Sequence, residues 1–178
     1  MDSRGNRTQL EFSIPARGLI GLSSRVLTAT AGEGIMHHSL EGYGPHRGEV
    51  PGRGNGVMIA TETGQVTAFA LGQLADRGVM FVRPGDKVYE GQIVGEHCRD
   101  KDIPVNVVRR KNLTNIRSAN KDATVTLKSP RAITLEGALE YVESGELVEL
   151  TPQHVRLRKL HLKENDRRRA ARRAPAGA

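Results

Sequence analysis

Ten consecutive residues, Val108–Arg117 (Val-Arg-Arg-Lys-Asn-Leu-Thr-Asn-Ile-Arg), carry the chain's most concentrated chemistry. Four cations (Arg109, Arg110, Lys111, Arg117) stand among three amide or hydroxyl donors (Asn112, Thr114, Asn115), and no acidic residue falls between Ile103 and Lys121. Clustered Lys and Arg bind phosphates by releasing condensed counterions, an attraction that weakens steeply with salt. The neighbouring amides and hydroxyls can add hydrogen bonds to phosphate or sugar. The run therefore suits a polyanion.

No comparable group of residues suits bond-making. The histidines (37, 38, 46, 97, 154, 161) lack metal-ligand spacing. His97 and Cys98 are adjacent, so on a strand they face opposite ways. Ser23, Ser24 and Cys98 form no nucleophile–base pattern. The glycine-rich stretch 42–56 holds six glycines and two prolines but no Gly-Lys-Ser/Thr opening a helix, so it reads as a linker rather than a phosphate loop. No catalytic, metal or cofactor site is expected on the chain.

Charge is segregated. Residues 99–131 carry nine Lys and Arg against three Asp and Glu, and residues 154–178 carry nine against two. Between them, residues 132–153 hold five acids and no base. Two basic blocks favour nucleic acid over an ordinary solvated surface. None of the six aromatics (Phe12, Tyr43, Phe69, Phe81, Tyr89, Tyr141) lies in either basic block, so base stacking is not the expected mode. Phosphate and shape contacts on folded RNA are. The single cysteine fits a reducing cytoplasm, and no apolar run approaches the roughly 18 residues of a membrane span. The expected protein is a cytoplasmic monomer without a membrane partner.

The elements that must position these residues follow from periodicity. Thr8–Ile14 alternates as a strand stopped by Pro15; Arg17–Ala31 has helical spacing ended by Gly32 and Gly34; Ile35–Leu40 reads as a second strand. From Val57 the chain turns β-rich. Strands are predicted at Val57–Glu62 and Gln65–Ala70 around Thr63-Gly64, with a helical turn in 72–77. Val79–Val82 precedes the turn Arg83-Pro84-Gly85-Asp86, and Val88–Tyr89 and Gln92–Glu96 flank Glu90-Gly91. Strands are also predicted at Ile103–Val108, Ala123–Leu127, Leu147–Leu150 and Val155–Leu162. Thr134 caps a predicted helix over Leu135–Ser144, and Asn165 or Asp166 a final arginine-rich one. Its Arg168/Arg172 and Arg169/Arg173 pairs repel at four-residue spacing, a cost that an anionic partner would relieve.

Two resemblances enter on particular residues. Residues 83–95 are similar to the turn-strand-turn of biotinyl and lipoyl carriers, but Lys87 stands beside the proline turn and not at an exposed tip. More extensively, Pro15–Gly21, Tyr89–Gly95, Lys111–Arg117, Leu147–Pro152, Val155–Lys159 and Lys163–Arg169 resemble, in order, the C-terminal part of the BipA/TypA translational GTPases. The resemblance implies an α+β fold. Its first part, 1–41, would be the second half of an elongation-factor-G-like split β-α-β domain. A Gly-rich linker, 42–56, would lead to a β-rich, barrel-like C-terminal domain over 57–163 with a long basic loop. A basic helix and tail would occupy 164–178. The split domain would lack one strand, so strands 8–14 and 35–40 are not expected to pair directly.

Further implied is a module of the ribosome, touching large-subunit rRNA and the acceptor end of an A-site tRNA through loop 107–120, in a parent acting in translation or ribosome assembly under stress. The implied contacts are Arg109, Arg110, Lys111, Asn112, Thr114, Asn115, Arg117 and Lys121. Arg156, Arg158, Lys159, Arg167, Arg168 and Arg169 join them from the second basic block. The family shows Lys-Lys before Leu-Thr-Asn; here the second position is Asn112 and Arg109-Arg110 precede Lys111, so the charge is kept but displaced. GTP and magnesium would belong to a G domain of the parent, because no Gly-x-x-x-x-Gly-Lys-Ser/Thr is present here. The alternative class is a stand-alone, non-catalytic interaction module occupying the ribosomal factor site.

Overall fold

A computed structural model describes residues 2–4, 7–48, 52–111 and 127–173. The chain divides into two compact units, Met1–Pro51 and Gly52–Ala178. In the first, strands β1 (Asp2–Arg4) and β2 (Arg7–Gln9) form an antiparallel hairpin with Asp2 opposite Gln9. A single 3-10 turn spans Ala16–Leu19, and helix α1 covers Leu22–Ala29. Gly21 enters that helix at φ 70°, and left-handed Ala31 and Gly32 close it, with the Gly32 N–H donating to the Leu27 carbonyl at 2.7 Å.

The predicted strands of this unit are corrected. Pairing stops at Gln9, so the Leu10–Phe12–Ile14 alternation stays outside any ladder, and 35–40 is not a strand. No ladder joins the two segments among the described residues. The physical reason is burial. Strand propensity reports fit to a half-covered surface, and here Phe12 is 80 % exposed and Ile35 76 %. Helix α1 likewise buries none of its residues. It is shorter than predicted because Pro15 and the left-handed Gly21 confine the first turn to 3-10 geometry.

The second unit holds every buried apolar side chain among the described residues, from Val57 to Leu157. Its strands are β3 (Val57–Ala60), β4 (Gly64–Gln65), β5 (Gly78–Met80), β6 (Lys87–Val88), β7 (Gln92–His97), β8 (Ile103–Val105), β9 (Glu146–Leu150) and β10 (Val155–Lys159). The main sheet runs β8-β3-β7-β10-β9, with β5 on β7; among the described residues only β3 and β8 pair in parallel. Strands β4 and β6 form a separate antiparallel pair. The unit mixes these strands with helices, as the α+β expectation requires.

Helices cover both faces, which is why β3 is buried at all four positions and reads as a continuous apolar run. On one face Met58, Ala60 and Val94 pack with Leu71 and Leu74 of helix α2 (Ala68–Leu74). On the other, Val57, Ile59, Ile93 and Leu157 pack with Ala138 and Tyr141 of helix α3 (Leu135–Tyr141). Thr134 caps α3 as predicted, accepting from the Gly137 N–H at 3.1 Å.

Helix α2 replaces the predicted strand Gln65–Ala70 and the helical turn beyond it. Thr67 is its N-cap, accepting from the Ala70 N–H at 3.1 Å. The apolar Ala-Phe-Ala-Leu run turns Ala70 and Leu71, with Leu74, inward at helical spacing instead. The 88–96 hairpin is also corrected: Gly91, at φ 86°, makes the turn, but β6 pairs with β4 and β7 with β3, β5 and β10. Predicted strand 123–127 lies outside the described residues apart from Leu127.

Helix α4 (Glu164–Arg173) follows β10. It starts at Glu164, so Asn165 and Asp166 lie within it, and the Lys163 carbonyl accepts from the Arg167 N–H at 3.1 Å. Its entry depends on Gly91, where an added Cβ would stand 2.5 Å from Leu162 Cα. Gly91→Ala combines that clash with a disfavoured left-handed conformation, and should destabilise the unit by roughly 2 kcal/mol in denaturant titration. Gly145→Ala, strained at φ 82° with nothing within 4 Å, should cost less.

Candidate nucleic-acid interface

The basic loop has a rigid root. Val107 is 1 % exposed within the α2-side core, and Val108 and Leu127 pack on the same cluster, so the outgoing and returning ends are anchored together. The Thr67 N–H donates to the Val107 carbonyl at 3.0 Å, and the Thr67 hydroxyl donates to the Arg109 carbonyl at 2.5 Å. Thr67 thus caps α2 with its acceptor lone pair and clamps the loop with its proton. Asn106 closes the bend, accepting from the Val108 N–H at 3.0 Å. Immediately beyond, Arg109, Arg110 and Lys111 are all exposed. Asn112, Thr114, Asn115, Arg117 and Lys121 lie outside the described residues.

The β10 cations are placed differently. Antiparallel register sets Arg156 opposite Glu149 and Lys159 opposite Glu146, pairing the acidic block with the start of the second basic block. Glu149 receives Arg156 at 3.5 Å and Arg158 at 3.9 Å, and also accepts from the Tyr89 hydroxyl at 2.6 Å. Burial first, and then the Glu149 carboxylate, push the Tyr89 hydroxyl far above the ordinary tyrosine range. Arg156 and Arg158 are therefore half-buried and partly neutralised.

Lys159 goes further and belongs to a buried charge centre. The Glu146 carboxylate has no exposed side-chain surface. It accepts a forked pair from Arg53, both contacts 2.6 Å, and a third hydrogen bond from Lys159 at 2.6 Å. The Lys159 ammonium also reaches Asp102 at 2.6 Å, and Asp102 accepts from the Val57 N–H at 2.9 Å at the start of β3. The Arg53 guanidinium lies 4.7 Å from the Tyr141 ring centre and donates to the Tyr141 carbonyl at 2.9 Å. Arg131 stacks on Phe81 at 4.9 Å and pairs with Glu96. Sequence reading misses this centre because Arg53 and Glu146 are 93 residues apart and Arg53 sits in a stretch that resembles a linker.

On α4, Arg167 donates to the carbonyls of His161 (3.0 Å) and Leu162, whereas Arg168 pairs with Glu164 at 2.5 Å and Arg169 with Asp166 at 3.9 Å. Elsewhere His97 is 8 % exposed and its Nδ1 bonds the Lys101 carbonyl at 2.7 Å, a structural role. Among the described residues no three His, Cys, Asp or Glu side chains converge to hold a metal, and no helix is long and apolar enough to cross a membrane.

The charge centre predicts acid sensitivity. Burial alone would raise the Glu146 carboxyl, but hydrogen bonds from Arg53 and Lys159 outweigh it and hold the group below its usual range. For Asp102, burial is likewise outweighed by Lys159 and the Val57 N–H; for Glu96, by Asn55 and Arg131. Folded-state values below the unfolded ones stabilise the fold above the ordinary carboxylate range, and that stability disappears as pH falls through the depressed values. Chemical denaturation should therefore show a plateau near neutral pH and a decline below about pH 4.5. Glu146→Gln should cost roughly 3 kcal/mol at pH 7 by leaving buried cations underpaired, and should make the acid decline shallower.

Comparison with known proteins places these elements in a common context. Residues 55–164 match the profile of a family described as "TypA/BipA C-terminal domain", and residues 1–53 match "Elongation factor G C-terminus". The chain is 47 % identical over 173 residues to a Bacillus subtilis protein, 51 % over 162 to one from Synechocystis, and 49 % over 172 to one from Escherichia coli K12. Each is named large ribosomal subunit assembly factor BipA. The matches cover 96 %, 91 % and 96 % of this chain but only 28 %, 27 % and 28 % of those relatives.

Proposed function

The chain belongs to the TypA/BipA family through its C-terminal domain, and from that premise we propose that it is a ribosome-binding module whose basic loop holds ribosomal RNA by its phosphates. The observation that carries the reading is the position of Arg109, Arg110 and Lys111: three exposed cations one step beyond a doubly anchored, hydrogen-bonded root. Fixing the root lowers the ordering cost of each phosphate contact, since only the loop beyond it must settle on the partner. The relatives' printed name, a large-subunit assembly factor, supports the large subunit as the partner.

Within this reading the loop contacts 23S rRNA and the acceptor end of an A-site tRNA, with Asn112, Thr114, Asn115, Arg117 and Lys121 extending the surface begun by Arg109. Lys159 leaves the contact set, because Glu146 and Asp102 occupy its ammonium. Arg156 and Arg158 contribute long-range attraction rather than direct contacts, since Glu149 holds both. GTP hydrolysis, with its magnesium, is assigned to a G domain of the whole protein. This chain contributes binding.

Replacing Arg109, Arg110 and Lys111 together with Ala should weaken binding to purified large subunits on the order of tenfold or more, and should flatten the plot of log affinity against log salt by about three. Filter binding or sedimentation across a salt series measures both. Full affinity with an unchanged slope would overturn the loop assignment. Lys159→Ala should instead lower the unfolding midpoint.

A further inference from the structure

Helix α4 has alanine as its only apolar residue type, and its exposed arginines are gathered on one face. At about 100° per residue, Glu164, Arg167 and Ala170 share one stripe, and these are the half-buried residues of the helix. Arg167 pins that stripe through the His161 and Leu162 carbonyls at the exit of β10, where Gly91 also abuts Leu162. Arg168, Arg169, Arg172 and Arg173 fall within about 140° of arc on the opposite side. All four are exposed, Arg168 by 69 % and Arg169 by 76 % of the side chain. Arg172 and Arg173 have no ion-pair partner among the described residues, and the pairs to Glu164 and Asp166 are solvent-exposed and weak.

We propose that this four-arginine face is a second, separately anchored RNA-binding surface, made for the phosphates of double-helical RNA, with Arg167 as its positioning residue. The proposal rests on the reading that this unit binds ribosomal RNA. Four like charges at three- and four-residue spacing oppose the helix by themselves, so a face that keeps them together favours an anion across it. Every cation within the helix is arginine, whose forked guanidinium engages a phosphate through two parallel hydrogen bonds. The face has no aromatic for stacking on single-stranded bases, and the helix has no apolar side to lie in a membrane interface. Arg172 and Arg173 thus join the contact set, while Arg167 acts from behind by holding the helix.

The test uses the full chain and purified large ribosomal subunits over a salt series. The variant R168Q/R169Q/R172Q/R173Q should bind more weakly and lose about three to four from the salt slope, with its thermal midpoint unchanged. The all-lysine counterpart should keep the slope but not the full affinity. Arg167→Gln, which leaves all four charges in place, should weaken binding with near-normal slope while amides of 164–173 exchange faster. An unchanged slope in the quadruple glutamine variant overturns the proposal. If the loop variant still binds weakly in that case, the loop reading survives alone; if neither variant changes, both fail. Competition by polyglutamate as effective as that by an RNA duplex would also overturn it, in favour of an acidic protein partner.

Discussion

The C-terminal unit depends on one buried carboxylate. Glu146 is withdrawn from water and satisfied by a forked arginine and a lysine from distant parts of the sequence. Removing such charges from solvent costs several kcal/mol per ion, and only good geometry with every lone pair used offsets it. Here Arg53 brings the start of the unit against α3, Lys159 brings the end of β10, and Asp102 ties Lys159 to the first residue of β3. One charge centre therefore determines how the sheet, α3 and the segment before β3 meet.

That centre also changes the meaning of the chain's basicity. A block count shows two positive regions separated by a negative one. In three dimensions the negative region folds back on the beginning of the second positive one, because β9 and β10 are a hairpin whose register opposes Glu149 to Arg156 and Glu146 to Lys159. The loop root at 109–111 and the outer side of α4 keep their cations exposed, as do Arg99, Lys101, Lys128 and Lys163. The start of the second basic block is thus neutralised on the sheet, while the loop root and the outer side of α4 keep their charge exposed.

Both surfaces share a construction in which a structural contact behind the charge fixes its position. Thr67 spends its lone pair on the α2 N-terminus and its proton on the Arg109 carbonyl. Arg167 spends its guanidinium on two carbonyls at the end of β10. Function carried on extensions from a rigid scaffold is the usual arrangement for binding loops, and here such hydrogen bonds hold Arg109 at the start of the loop and Arg167 in the first turn of α4.

The sequence alone determined whatever local chemistry decides: the cation run at 109–111, the Thr134 cap of α3, the Arg83–Asp86 turn, strand β9, and strand β10 from its alternation. Six ordered motifs also sufficed to place the family. Tertiary structure decided the rest, for reasons of burial and register. Leu10–Ile14 alternates like a strand but has no covering surface, so no ladder forms. Residues 65–70 read as the second arm of a hairpin at Thr63-Gly64, yet the Thr67 cap and a waiting apolar face make 68–74 a helix. Lys159 and Arg168 look alike as basic residues in a basic block. Tertiary structure separates them: the β9 register sets Glu146 opposite Lys159, which holds the fold, whereas Arg168 lies on an exposed helix face where its pair is the local, solvent-exposed Glu164.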